Sequence, residues 1–211
     1  MISYRKFFSI IGPWIVLALL MNGTRYFIAE VPSYIYMNWN LFLALVPLFL
    51  TWLFLMSNNI FFKTLIFFAW LLFLPNAPYL VSDLIHLRDV GVQSMLWFDG
   101  MMIFAYALVG SMVTAYSLIL FKNHLFIKKN SQYIFLFVIS LSSALGVYIG
   151  RHIRFNSWDV ITSPVELATA IIKVITEHYH DPVFFMTLIF FTLFVLLGTY
   201  SFEQLYKKTT T

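Results

Sequence analysis

The chain has 211 residues, of which 61% are hydrophobic and 20% aromatic, while only 10% are charged. An ordinary soluble domain is about 25% charged, so this composition excludes a water-soluble globular protein. The chain has 8 glycines, 7 prolines and no cysteine, which also excludes collagen, disulfide frameworks and thiolate metal sites. We therefore expect an integral membrane protein.

Apolar segments long enough to cross a bilayer, which takes about 20 residues, recur along the chain. The sequence predicts six spans, at about 7–21, 39–56, 60–74, 100–121, 131–150 and 183–202. The third span is short before Pro75. It either continues through the proline-containing stretch to about Leu80 or dips into the membrane and returns. The prediction is an all-α helical bundle that forms a single integral membrane domain over residues 1–211.

Basic residues predict how the bundle is oriented. The first span follows Arg5 and Lys6 and lacks a small-residue cleavage site, so we interpret it as uncleaved. With six spans both termini share one side, which collects eight of the 13 basic residues. These are Arg5, Lys6, Lys63, Lys122, Lys128, Lys129, Lys207 and Lys208. The positive-inside rule then predicts cytoplasmic termini.

Acidic residues and histidines concentrate on the opposite, outer side. Eight of the nine acidic residues fall there, leaving only Glu203 inside, as do four of the five histidines. We therefore expect any binding or catalytic site at the outer face.

Small residues recur every four positions in the fourth and fifth spans. They are Ala107, Ser111 and Ala115 in the fourth, and Ser142, Gly146 and Gly150 in the fifth. Such spacing lets two membrane helices approach closely. It predicts that these two spans form a tight hairpin, which would bring Asp99 level with Arg151.

The segment after the third span holds one group of candidate site residues. Asn76 is expected to cap a new helix with Pro78 in its first turn. On that helix Tyr79, Asp83 and His86 share one stripe. Asp83 and His86 could hold a divalent metal, or the carboxylate could orient the imidazole as a general base. Alternatively, Asp83 pairs with an arginine and His86 lies at the interface. Two ligands do not make a site, so no metal site is assigned.

A second group of candidates follows the fifth span. If that helix continues for one turn, Arg151 and Arg154 project together and form a clamp for a phosphate or carboxylate. The alternative is a buried salt-bridge network, because three carboxylates are available to these two arginines. They are Asp83, Asp99 and Asp159.

Ser163 begins a capping box with Pro164 at the first helical position. The amphipathic helix that it starts, at about 164–180, is expected to lie in the outer membrane interface. His178 and His180 at its end are interpreted as solvated histidines.

At three of these segments the chain resembles a bacterial family of multi-pass membrane proteins, the domain of unknown function numbered 1361. They are Leu74-Pro75-Asn76-Ala77-Pro78-Tyr79 with Asp83 and His86, then Trp97-Phe98-Asp99, then Gly150-Arg151 to Trp158-Asp159. The resemblance covers nearly the whole chain and implies a bacterial plasma membrane. It brings no activity, cofactor or catalytic residue.

Two functions from different classes remain open. In the first, the outer cluster binds or processes an anionic lipid-linked substrate, and whether it is an enzyme stays undecided. Its candidate residues are Asp83, His86 and Asp99 for catalysis, Arg151 and Arg154 for the anion, and Asn76, Tyr79, Asn156 and Asp159 in support. In the second, the protein is a non-catalytic structural or accessory component whose outer charges form a salt-bridge network. A small-solute transporter ranks third, because the spans lack polar residues at depth. Membrane lipids are the expected partners and nucleic acid is not; cofactors and protein partners are left open.

Overall fold

The computed structural model describes residues 4–29, 34–89, 95–126, 128–177 and 180–208. In those ranges the chain is helical and has no strand. The helices are α1 (Tyr4–Ala29), α2 (Tyr36–Met56), α3 (Ile60–Phe73), α4 (Asn76–Ser82), α5 (Leu96–Leu125), α6 (Lys129–Tyr148), α7 (Asp159–Thr162), α8 (Pro164–Glu177) and α9 (Pro182–Lys208). A 3-10 turn, Asp83–Asp89, follows α4, and a π turn, Ile149–Ile153, follows α6.

Six helical segments within the described residues are long and apolar enough to cross a membrane, which confirms the predicted helical membrane bundle. The segments extend past the predicted ends, since charged residues at a helix end need not stop the helix. The third runs from Ile60 to Leu87, so the chain continues through the proline-containing stretch and beyond Leu80. Pro75 keeps right-handed helical dihedrals at the junction of α3 and α4.

The small residues of the fourth and fifth spans pack, but not against each other. The predicted tight hairpin is wrong, because α5 packs mainly against α4, α1 and α2, while α6 packs mainly against α9. The short helix α4 contacts both. A Cβ on Gly110 of α5 would collide with the carbonyl group of Ala77, and one on Gly146 of α6 would collide with the ring of Pro75. The missing side chains therefore make room for α4.

Helix α5 is the central helix and carries ionisable side chains near both of its ends. From Asp99 to Lys122 it rises about 35 Å at 1.5 Å per residue. Nζ of Lys122 donates to Oε2 of Glu203 at 2.5 Å, with 5% of the Lys122 side chain exposed. The ring centres of Phe7 and Phe202 lie 6.1 Å apart, so the start of α1 and the end of α9 are neighbours. We call the end with Lys122 the lysine end and the end with Asp99 the polar end.

The amphipathic helix α8 begins at the predicted residue, Pro164, and is described to Glu177. The predicted remainder includes His178, which lies outside the described residues. Val174 is buried against Tyr148 and Phe184, which docks α8 onto α6 and α9. Val165 is 72% exposed, so one apolar edge of α8 stays uncovered.

Candidate functional site

Most of the predicted site residues meet in one cavity at the polar end. Asp83 and His86 are three residues apart in the 3-10 turn, whose period of three places them on one side. The cavity has a volume of about 650 Å³. It is lined by Tyr36, Asn40, Tyr79, Asp83, Ile85, His86, Gly150, Arg151, Arg154 and Asn156. We call it the polar cavity.

Asp83 is fully buried and its carboxylate is fully engaged. Oδ1 accepts from Nη2 of Arg151 at 2.5 Å, and Oδ2 accepts from the side-chain amide of Asn40 at 3.2 Å. A carboxylate in this position requires a charged partner because its desolvation is costly. Asp83 therefore joins the third span to the turn after α6.

The hydrogen-bond donors of Arg151 are engaged by other side chains of the protein. Nε and Nη2 donate to Oγ of Ser82 at 3.0 and 2.6 Å, and Nη1 contacts Nε2 of His86 at 2.9 Å. The guanidinium carbon lies 4.2 Å from the ring centre of Tyr79, a cation–π distance. Arg151 is thus a structural part of the cavity wall, and it does not face a ligand as half of a two-arginine clamp.

Arg154 differs from Arg151 in both backbone and surroundings. The predicted clamp required the helix to continue for another regular turn, but the π turn ends at Ile153 and Arg154 leaves the right-handed helical conformation. Arg154 has φ 66° and ψ 29°, the left-handed region, and is the one non-glycine among the described residues with positive φ. This conformation costs roughly 1–2 kcal/mol for a residue with a Cβ. The Arg154 side chain is exposed in the polar cavity and forms no hydrogen bond or ion pair with another described residue.

The loop after Arg154 is held by Asp159. Its Oδ2 accepts from the backbone amide of Asn156 at 2.6 Å, and its Oδ1 accepts from the hydroxyl of Thr162 at 3.0 Å. Asp159 therefore stabilises the loop locally and pairs with neither arginine. The side chain of Asn156 lines the polar cavity.

An apolar groove of about 270 Å³ adjoins the polar cavity, and Asn40, Tyr79, Gly150 and Asn156 line both. Its apolar walls come mainly from α3, the end of α6, the π turn and α8. They include Leu71, Leu72, Leu145, Ile149, Leu167 and Ile171. The small residues of α6 open onto this groove, so the stripe that predicted helix packing also shapes a cavity.

Asn76 lines the groove without capping α4. The residue before α4 is Pro75, and no side chain caps the helix there. Instead, the amide of Asn76 donates to the carbonyl of Phe73 at 2.9 Å and to the hydroxyl of Ser157 at 2.8 Å. The predicted cap is wrong because this amide binds a backbone carbonyl at the end of α3 and a hydroxyl in the loop after the π turn.

Asp99 lies in a separate ion pair outside the polar cavity lining. Its Oδ1 accepts from Nε of Arg25 at 2.6 Å, with 4% of the Arg25 side chain and none of the Asp99 side chain exposed. The hydroxyl of Tyr34 lies 3.5 Å from Oδ2. Asp99 and Arg151 therefore form no ion pair with each other, because α1 brings Arg25 to Asp99 while Asp83 pairs with Arg151.

Sequence reasoning missed the polar residues that come from within the helices. Ser82, Asn40 and Tyr36 complete the site. Asn40 and Tyr36 lie in or beside a segment interpreted only as a membrane span, and Ser82 lies within the candidate segment after the third span but was not singled out. The signal available was position: Asn40 lies one turn inside the start of α2, and Ser82 directly precedes Asp83. Within the described ranges, no three His, Asp or Glu residues come together as potential metal ligands.

A family model described as "Protein of unknown function (DUF1361)" matches residues 39–197, about three quarters of the chain. No curated protein and no solved structure matches the chain. The matched segment includes every residue that lines the polar cavity except Tyr36. The chain is a multi-pass membrane protein, and by this match it belongs to the DUF1361 family, whose function is unknown.

Proposed function

We propose that the site binds an anionic membrane amphiphile, with the anionic headgroup in the polar cavity and the hydrocarbon chain in the apolar groove. The observation that carries this proposal is Arg154, a cation without a described partner, facing a cavity that continues into an apolar groove. A guanidinium is well suited to phosphate and carboxylate oxygens because its donors match their geometry. The adjoining groove favours a lipid over a small soluble anion.

The conformation of Arg154 supports the same proposal. A glycine would adopt φ 66° without strain, so an arginine there carries a conformational cost. Strained residues of this kind cluster at functional sites, where the side chain is required. Compared with glycine, arginine at this position adds a side chain whose functional group is the guanidinium.

The remaining polar residues are proposed to build the wall of the site. Asp83 and His86 both contact Arg151, and this cluster fixes the 3-10 turn against the π turn. We therefore assign binding to the site and give Asp83, His86 and Arg151 positioning roles. Asp99, which pairs with Arg25, has no part in it.

The alternative function, a non-catalytic structural or accessory component, is supported by these same ion pairs. Asp83 and Asp99 each have an arginine partner, which is the arrangement expected of charges that only hold the bundle together. Arg154 separates the two hypotheses, since a purely structural network gives it no role.

The test compares lipid binding by the full chain and its variants. Native mass spectrometry of the detergent-solubilised protein with added anionic phospholipid should show bound lipid. Arg154→Gln should lower that affinity at least tenfold, because a charge-assisted hydrogen bond is worth about 1.5–3 kcal/mol. Lys128→Gln, which removes the same charge at the lysine end, should leave the affinity unchanged.

Arg154→Gly distinguishes binding from stability. It should relieve the backbone strain and leave thermal stability equal or higher, yet bind lipid as weakly as Arg154→Gln. If Arg154→Gln and Arg154→Gly both retain the parent affinity, the proposed function is wrong and the structural alternative stands.

We also propose a bacterial plasma membrane with both termini in the cytoplasm, so that the polar cavity opens at the outer face. The lysines of the lysine end support this orientation through the positive-inside rule. Because the chain has no cysteine, single cysteines can report sidedness without background. In intact cells, an impermeant maleimide should label Glu166→Cys but not Lys128→Cys; the reverse pattern would refute this orientation.

A further inference from the structure

The polar cavity has a defined charge, which limits the headgroup that it can hold. Asp83 and Arg151 are paired at 2.5 Å, so their charges cancel. A guanidinium only donates, so Nε2 of His86, 2.9 Å from Nη1 of Arg151, is the acceptor side of that contact. Among the described lining residues, Arg154 is the permanently charged side chain without an ion-pair partner, and it contributes one positive charge.

A single positive charge matches a phosphodiester, which carries one negative charge. A pyrophosphate carries at least two, and the described lining offers no second available guanidinium to bind the additional charge beside the buried carboxylate of Asp83. A headgroup with an ammonium needs a free carboxylate or an open aromatic face, and the face of Tyr79 is already taken by Arg151. The carboxylate in the described lining is Asp83, which Arg151 and Asn40 already engage.

Uncharged hydrogen-bonding groups surround this cation. The side-chain amide of Asn156 and the hydroxyls of Tyr36 and Tyr79 line the polar cavity and form no hydrogen bond with other described residues. Amides and phenols both donate and accept, as hydroxyl groups do, so they suit a ligand that carries several hydroxyls. A volume of about 650 Å³ is within the range of small-molecule sites and exceeds what a bare phosphate would fill.

We infer that the ligand is a monoanionic phosphodiester whose headgroup carries hydroxyl groups, as in a glycerol phosphate or a glycosyl phosphate. Arg154 binds the phosphate, and Asn156, Tyr36 and Tyr79 bind the hydroxyls. This inference rests on the proposed function and names the ligand class of the same site. The same chemistry can come from a phospholipid or from a glycosylated phosphoprenol, and the experiment separates these two sources.

The decisive comparison is between two lipids of equal charge. Phosphatidylglycerol and phosphatidylmethanol are both monoanionic phosphodiesters, but only the first has headgroup hydroxyls. Native mass spectrometry of the full chain should show roughly thirtyfold tighter binding of phosphatidylglycerol, since two hydrogen bonds contribute about 1 kcal/mol each. A glycosyl phosphoprenol, measured in the same detergent, tests the second source. The lipid that binds more tightly identifies the source of the ligand.

Two variants connect the preference to the cavity. Asn156→Ala removes one amide while keeping the backbone N–H that Asp159 accepts, and Tyr36→Phe removes one hydroxyl while keeping the ring contact with His86. Each should reduce the preference for phosphatidylglycerol severalfold and leave phosphatidylmethanol binding unchanged, an outcome that loss of folding would not give.

The inference is overturned if phosphatidylmethanol binds as tightly as both hydroxylated lipids, or if a prenyl pyrophosphate binds more tightly than any phosphodiester. Either result leaves the proposed function intact, provided that Arg154→Gln still weakens lipid binding. If Arg154→Gln changes no lipid affinity, the proposed function itself fails, so the two failures are distinguishable.

Discussion

The contact between α5 and α4 gives a sharp stability prediction. At Gly110 an added Cβ would lie 3.1 Å from both the carbonyl carbon of Ala77 and Cδ1 of Leu80, and closer still to the carbonyl oxygen of Ala77. Ordinary contact begins near 3.4 Å, so Gly110→Ala must push two backbones apart. Such overpacking costs about 3 kcal/mol, against a gain of about 1 kcal/mol from helix propensity. We expect a net loss of about 2 kcal/mol.

The matched control is Gly198→Ala in α9, where no atom lies within 4 Å of the added Cβ. That variant should gain up to about 1 kcal/mol from helix propensity alone. Reversible unfolding in mixed micelles would measure both free energies. Equal stability of the two variants would refute the close contact of α4 with α5. Because α4 carries Tyr79, Gly110→Ala should also weaken lipid binding, while Gly198→Ala should not.

Three further substitutions test the polar groups inside the bundle. Asp99→Asn should cost about 3–5 kcal/mol of unfolding free energy because it strands the charge of Arg25, and the double variant Arg25→Met/Asp99→Leu should recover most of that loss. Lys122→Met should cost less, about 1–3 kcal/mol, because Glu203 is 17% exposed and reaches water; chemical denaturation gives both values. Trp70→Phe, which removes an N–H donated to a buried hydroxyl at 2.7 Å, should lower stability by about 1 kcal/mol in the same assay, and a thermal melt identical to the parent would contradict that bond.

Polar residues inside the spans are more numerous than sequence reasoning allowed. Hydroxyls of Thr51 and Ser117 lie 2.6 Å apart, and the indole of Trp70 donates to Ser117, which ties α2, α3 and α5 together. In hydrocarbon such groups stabilise helix contacts because no water is present to form hydrogen bonds with them. A polar residue within a span therefore does not by itself indicate a transport path.

The sequence determined the class of the protein and predicted most of the residues that gather in the polar cavity. Apolar length is a local property, so six spans could be counted from composition alone. The stripe of Tyr79, Asp83 and His86 was also predictable, because helical periodicity is local and these residues share one segment.

The tertiary structure decided the partners. Asp99 pairs with Arg25 and Asp83 with Arg151, because the position of α4 between neighbours and the length of α1 set which charges meet. Spacing along the chain does not encode either ion pair, since every carboxylate at the polar end is a possible partner for every arginine at that end. The left-handed conformation of Arg154 likewise depends on how the π turn ends after α6.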